Sequence, residues 1–129
     1  VRVLLDSTVL IDALRGLPAQ QRIEALELSR DVPCTTAVNV EEVVRGLRPE
    51  EIDSARRLFR GLEILPLDVE EGWQAGEWRQ AYGARGMTLW QADCLIAAAA
   101  RFSNAKVATG NPKDFPMEEV AIEHWPVGE

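Results

Sequence analysis

Four separate places in the chain set acidic or hydroxyl side chains where their neighbours are apolar. Asp6 ends the run Val1-Arg2-Val3-Leu4-Leu5 and is followed by Ser7 and Thr8. A carboxylate closing a buried strand is costly unless it is paired or holds a metal, although an acid there can also cap the next helix. Asp93 shares a helical stripe with Ile96, Ala97 and Ala100, at i+3, i+4 and i+7, so an acid falls on a face that should be buried. Its early-turn position also suits an anion by way of the helix dipole, which is the plainer reading. Glu41 and Glu42 are adjacent, and the stripe Val40, Val43, Val44, Leu47 turns Glu41 nearer the core; periodicity leaves open which of them, if either, has a task. The segment Thr109-Gly110-Asn111-Pro112-Lys113-Asp114-Phe115 presents a hydroxyl, an amide and a carboxylate, and would serve equally as a plain turn. If such acids converge they repel one another, at least one pKa rises, and a hard divalent cation relieves the strain.

The elements that would position these groups follow from the apolar pattern. Val1 to Asp6 reads as a strand buried on both faces. Ser7 or Thr8 can cap a helix through Val9, Leu10, Ala13 and Leu14 to Gly16, and Pro18 can begin another through Ile23, Leu26 and Leu28. Val32 to Thr36 reads as a second strand, Ala37 to Leu47 as a helix stopped by Pro49, and Glu50 to Gly61 as a further helix. Glu63 to Leu67 is a short strand interrupted by Pro66. Asp68 caps a long helix to about Arg85, and Thr88 starts the next, which ends near Ser103-Asn104. Lys106 to Thr109 and Glu119 to Glu123 are the remaining strands. Strands alternating with helices predict an α/β fold with a mostly parallel, about five-stranded sheet covered on both sides, its site at the carboxyl ends of the strands.

The 129 residues suit a single domain, 1–129, with no repeat or linker to divide it. Hydrophobic residues make up 47% and charged residues 27%, which argues against disorder. No apolar run is long enough to span a bilayer, and the acid at position 6 arrives too early for a signal-peptide core, so a cytoplasmic location is the expectation. Cys34 and Cys94 lie outside any zinc-type spacing and read as buried thiols. The net charge of −7 counts against nucleic-acid binding taken alone, although a carboxylate metal site and a basic protein partner would both offset it.

Taken together, four segments resemble the PIN-domain family, and within it the VapC-type toxins: Leu4-Leu5-Asp6-Ser7-Thr8-Val9-Leu10-Ile11-Asp12, Glu42-Val43-Val44-Arg45-Gly46, Asp93-Cys94-Leu95-Ile96-Ala97-Ala98, and Ala108-Thr109-Gly110-Asn111-Pro112-Lys113-Asp114-Phe115. The match rests on their order and spacing across nearly the whole chain. The resemblance implies a three-layer α/β/α fold and hydrolysis of RNA to 5′-phosphate and 3′-hydroxyl ends, using Mg²⁺ or Mn²⁺. It maps the metal ligands onto Asp6, Glu42 and Asp93, selecting Glu42 over Glu41. Ser7, Thr36 and Thr109 resemble positions that support the site by hydrogen bonding. The family's fourth acid falls at Asn111, a departure that puts a second metal in doubt; Asp114, three residues on, is the substitute. An antitoxin protein and a homodimer are the implied partners. A groove lined by Trp73, Trp78, Leu58 and Phe59 is a candidate seat for the antitoxin's apolar helix, against the plainer reading of these residues as core. Arg15, Arg45, Arg48 and Lys113 are candidate contacts to RNA.

Three other readings stay in view. A phosphoacceptor receiver domain also carries an acidic Mg²⁺ pocket, but needs an Asp after the third strand, where only Asp68 stands. A haloacid-dehalogenase-type phosphatase needs an Asp at position 8, which is Thr. A degenerate PIN domain that only binds partners would fit the loss at Asn111.

Overall fold

The computed structural model describes residues 1–128 and consists of six helices and a five-stranded, all-parallel sheet. In chain order these are β1 (Arg2–Leu5), α1 (Ser7–Arg15), α2 (Leu17–Leu28), β2 (Val32–Thr35), α3 (Ala37–Arg45), α4 (Ile52–Arg60), β3 (Glu63–Ile64), α5 (Val69–Ala84), α6 (Gln91–Phe102), β4 (Ala105–Thr109) and β5 (Ile122–His124). Single 3₁₀ turns occupy Pro49–Glu51 and Pro112–Asp114.

The strand order is β3-β2-β1-β4-β5. β1 is central, with Leu4 opposite Cys34 of β2 on one side and Val107 of β4 on the other. Its apolar run reflects burial on both faces: Leu4 joins one core with Trp78, Ile96 and Ala97, while Val3 and Leu5 join another with Leu10, Ile23 and Val43. Helices α5 and α6 thus cover one face, and α1, α2 and α4 the other, giving the three layers. Full burial of each such Leu contributes roughly 1.5–3 kcal/mol. Ala97 to Ala100 are wholly buried, their small side chains letting α6 lie close to the sheet. The chain builds outward from β1 through β2 to β3, then crosses to β4 and β5. The crevice between the carboxyl ends of β1 and β4 is where such sheets place their sites.

Several boundaries differ from expectation, each for a local reason. Asp6, not Ser7 or Thr8, occupies the N-cap position of α1, and its side chain makes no capping bond. The third strand has only two residues; Leu65 donates one more bond to the Thr35 carbonyl at 2.8 Å, and then Pro66 has no N–H to offer. Helix α6 begins at Gln91 rather than Thr88. The turn before it is fixed by Gly86, at φ +80°, and by the Met87 N–H donating to the Tyr82 carbonyl at 2.9 Å, while Arg79 Nε donates to the Leu89 carbonyl at 3.0 Å. The fifth strand runs 122–124 instead of 119–123, because pairing with β4 starts at Val107 opposite Ile122. Cys34 and Cys94 are buried free thiols, as expected, with burial pushing them up to about 12 and about 11. Among the described residues no helix is long and apolar enough to cross a membrane.

Candidate functional site

Strand pairing positions the first acid. The Asp6 N–H donates to the Ala108 carbonyl at 2.9 Å, extending the β1–β4 ladder one residue past the strand, and its carbonyl accepts from Val9 and Leu10 as α1 begins. The side chain is therefore held in the crevice between β1 and β4, only 6% of the residue being exposed. Its Oδ2 accepts from Thr109 Oγ1 at 2.7 Å, and its Oδ1 accepts from Asn39 Nδ2 at 3.3 Å.

Asn39 is the hub of the network. Its Nδ2 also donates to Ser7 Oγ at 3.0 Å, and Ser7 Oγ donates to Glu42 Oε1 at 2.7 Å. Asn39 Oδ1 accepts from Thr36 Oγ1 at 2.7 Å and from the Thr36 N–H, so Thr36, the N-cap of α3, acts on Asp6 only through Asn39. Thr8 Oγ1 accepts the Gly110 N–H at 2.9 Å, and the Asn111 N–H donates to Thr109 Oγ1 at 3.0 Å, tying the loop after β4 to the start of α1. Among the described residues no buried side-chain nitrogen or oxygen lacks a partner. The sequence reading did not single out Asn39. The signal was present as Thr36-x-x-Asn39 ahead of an apolar run, a capping-box spacing that puts an amide in the first turn of α3.

Burial raises the Asp6 pKa above its ordinary value; the Thr109 hydroxyl and the Ser7 backbone amide pull it back, and the charges of Glu42 and Asp114 push it up again. Asp93 is pushed up to about 7, first by burial and then by Asp114, Asp6 and Glu42. Four carboxylates from β1, α3, α6 and the turn after β4 thus share one electrostatic neighbourhood, and the charges acting on Asp93 are all acidic. Glu42 rather than Glu41 faces this site: Glu41 is exposed and lies 3.9 Å from Arg45, opposite to what the helical stripe suggested. Asn111 has an exposed side chain, and Asp114 supplies the fourth charge.

Carboxylate oxygens flanked by hydroxyls and an amide are the donor set of a hard divalent cation. Among the described residues no group of three or more Asp, Glu, His or Cys side chains is placed to hold a metal ion. Mg²⁺ does not require one, since it keeps several waters and is held through one or two carboxylates together with substrate phosphate. The residues present fit an ion of this kind and do not fit a fully protein-enclosed one.

The other expected features are dispersed. Arg15 is bound to Glu51 at 3.0 Å, and Arg45 faces Glu41; Lys113 is exposed on the turn that carries Asp114. The candidate groove of Trp73, Trp78, Leu58 and Phe59 does not form, and for all but Trp73 the plainer reading as core residues holds. Trp78 is buried on the inner face of α5, with Nε1 donating to Glu119 at 3.0 Å, whereas Leu58 and Phe59 are partly buried against the core on the opposite face of the sheet and Trp73 is 72% exposed. Asp68, which a receiver domain would need in its pocket, is exposed and caps α5 by accepting the Val69 N–H at 2.8 Å.

Residues 3–122 match the model of the PIN domain family. The chain is 31% identical over 118 residues to ribonuclease VapC10 of Mycobacterium tuberculosis, covering 91% of this chain and 88% of that protein. It is 26% identical over 116 residues to ribonuclease VapC19 of the same organism, covering 88% and 92%. Among solved structures it resembles a chain of FitAcB from Neisseria gonorrhoeae, with a TM-score of 0.76, 26% identity and coverage of 98% and 99%. The DNA-bound VapBC complex from Salmonella typhimurium holds a chain of the same fold, with a TM-score of 0.83, 23% identity and coverage of 97% and 98%.

Proposed function

Since this chain belongs to the PIN-domain family, we propose that it is a divalent-metal-dependent endoribonuclease acting as the toxin of a toxin–antitoxin pair. The observation that carries the reading is the gathering of Asp6, Glu42 and Asp114 about Asp93, whose carboxyl is pushed up to about 7 by burial first and then by those three charges. Folding such groups together is unfavourable unless a cation shares the site.

In this reading Mg²⁺ or Mn²⁺ binds one or two of Asp6, Glu42 and Asp93 directly and the remainder through water, with Asp114 at the margin. The bound ion would supply positive charge that draws in a phosphate oxygen and makes water more acidic. Asp6 is fixed for this role by Thr109 and Asn39, and Glu42 by Ser7. Asp93 or Asp114 orients a water for in-line attack and accepts its proton. The water oxygen bonds to phosphorus, the P–O3′ bond breaks, and the 3′ oxygen takes up a proton, leaving a 5′-phosphate and a 3′-hydroxyl. A basic antitoxin would neutralise the acidic surface of a chain with net charge −7, and a homodimer belongs to the same reading.

The test is cleavage of single-stranded RNA in Mg²⁺ or Mn²⁺, with chelator and with Asp6→Asn and Asp93→Asn. Loss of cleavage in all three supports the reading. Cleavage at the wild-type rate in either variant overturns it.

A further inference from the structure

An acidic protein that acts on RNA needs a local surface the strand can approach. From Trp78 to Ala92 the sequence contains no Asp or Glu and carries Arg79 and Arg85. This stretch is the end of α5 and the turn into α6. Helices α5 and α6 run antiparallel: Arg101 bonds Gln74 at one end, and Arg79 bonds Leu89 at the other. The second end is the one that holds Asp93, in the first turn of α6.

At that end Trp90 stands 69% exposed. It occupies the N-cap of α6 without a capping bond, at a position where Ser, Thr, Asp or Asn serves the helix better. Its side chain is left mostly in solvent, unlike the buried rings of Trp78 and Trp125. Trp90 and Asp93 are three residues apart at the helix start, a spacing that puts them on neighbouring surface. Arg79 reaches the carbonyl of Leu89, the residue just before Trp90, so its guanidinium is fixed beside the aromatic ring's backbone.

We propose that Trp90 is a substrate-binding residue that stacks against a base of single-stranded RNA, with Arg79 facing the adjoining phosphate. This rests on the nuclease reading and adds the strand's path, from the acidic crevice over the α5–α6 turn. A flat exposed ring takes any base on its face, and Arg79 offers a phosphate positive charge; the acids that border this end, Glu118 and Glu119, lie against Trp78, Tyr82 and Arg85. A protein helix is better matched elsewhere, by the apolar groove of Val40, Val44, Leu47, Ile52, Phe59 and Ile64, than by one tryptophan beside Arg79.

The experiment titrates the tryptophan fluorescence of the full chain, carrying Asp6→Asn to prevent cleavage, with an octameric oligoadenylate in Mg²⁺. Inorganic polyphosphate serves as the charge-only control. Oligoadenylate should quench the fluorescence and polyphosphate should not. By isothermal titration calorimetry, which follows both ligands without the Trp90 signal, Trp90→Ala should weaken oligonucleotide binding by about tenfold or more, and Trp90→Phe should restore most of it. Arg79→Ala should weaken both ligands. In the Asp6-intact protein, Trp90→Ala should raise KM for RNA and leave kcat nearly unchanged. Equal oligonucleotide binding with and without Trp90, or no binding by either, overturns the proposal, as does a Trp90→Ala variant impaired only toward a partner protein. Wild-type cleavage with an unchanged KM in Trp90→Ala would defeat this proposal and leave the nuclease reading standing; absence of cleavage by the wild type would defeat the nuclease reading itself.

Discussion

Thr109 Oγ1 donates to Asp6 Oδ2 at 2.7 Å across 103 residues of sequence. The bond joins the ends of two adjacent parallel strands and is the main force holding down a carboxylate that burial and neighbouring acids push up. Thr109→Val should therefore leave the sheet intact, raise the Asp6 pKa further, and reduce RNA cleavage by about 10- to 100-fold, the usual effect of losing a group that orients a metal ligand. The loss should be partly recovered at higher pH or higher Mn²⁺, which a pH–rate profile at several metal concentrations would show. An unchanged profile would remove Thr109 from the site.

Asn39 connects Asp6, Ser7 and Thr36 and is wholly buried. Asn39→Ala leaves several of these polar groups without a partner, at a cost of about 1–3 kcal/mol in stability. Urea denaturation measures that cost. Activity should fall even at temperatures where the variant is fully folded, because Asp6 and Glu42 lose their common support.

The two adjacent glutamates separate site from surface. Glu41→Gln breaks an exposed pair of 3.9 Å and should change stability by less than about 0.5 kcal/mol, with cleavage intact. Glu42→Gln should abolish most cleavage and weaken Mn²⁺ binding. Equal activity in the two variants would mean that Glu42 holds nothing.

The pH dependence of stability has a definite sign. Asp93 titrates at about 7 in the folded protein and at its ordinary 3.8 when unfolded. Between these values the native state holds a proton that the unfolded chain has released, so the metal-free protein gains stability as pH falls through 7 and loses it as pH rises. Asp6 acts in the same direction. In chelator, the melting temperature should be higher at about pH 5.5 than at about pH 8. Asp93→Asn should raise the melting temperature at the higher pH and flatten the dependence. A wild-type melting temperature that falls on acidification over this range would contradict the shared acidic neighbourhood.

Much of this arrangement was legible in the chain before folding. The β1 run ending in Asp6 predicted a doubly buried strand, because apolar residues on both sides of the pleat leave no solvent face. Asp93 among Ile96, Ala97 and Ala100 predicted a carboxylate turned inward for the same reason. Glu42 was not legible from periodicity. The stripe through Val44 assumed that this residue is buried, yet Val44 is exposed, and the face of α3 that matters is set by Asn39 and Val43. The Thr36-x-x-Asn39 spacing marked Asn39 as a cap partner, but its bonds to Asp6 and Ser7 cross more than thirty residues and no local pattern reports them. The start of α6 was misplaced since a side chain from α5, Arg79, fixes the Leu89 carbonyl. The supposed tryptophan groove failed because Trp78 and Phe59 are on opposite faces of the sheet, a fact of topology that hydrophobicity alone does not carry.

The most direct test of the central claim is an anomalous-difference map from crystals soaked in Mn²⁺. The account predicts one strong peak in the crevice between β1 and β4, within coordinating distance of Asp6 and Asp93, with Glu42 reaching it directly or through water. A peak bound elsewhere, or an empty crevice at saturating Mn²⁺, would contradict it.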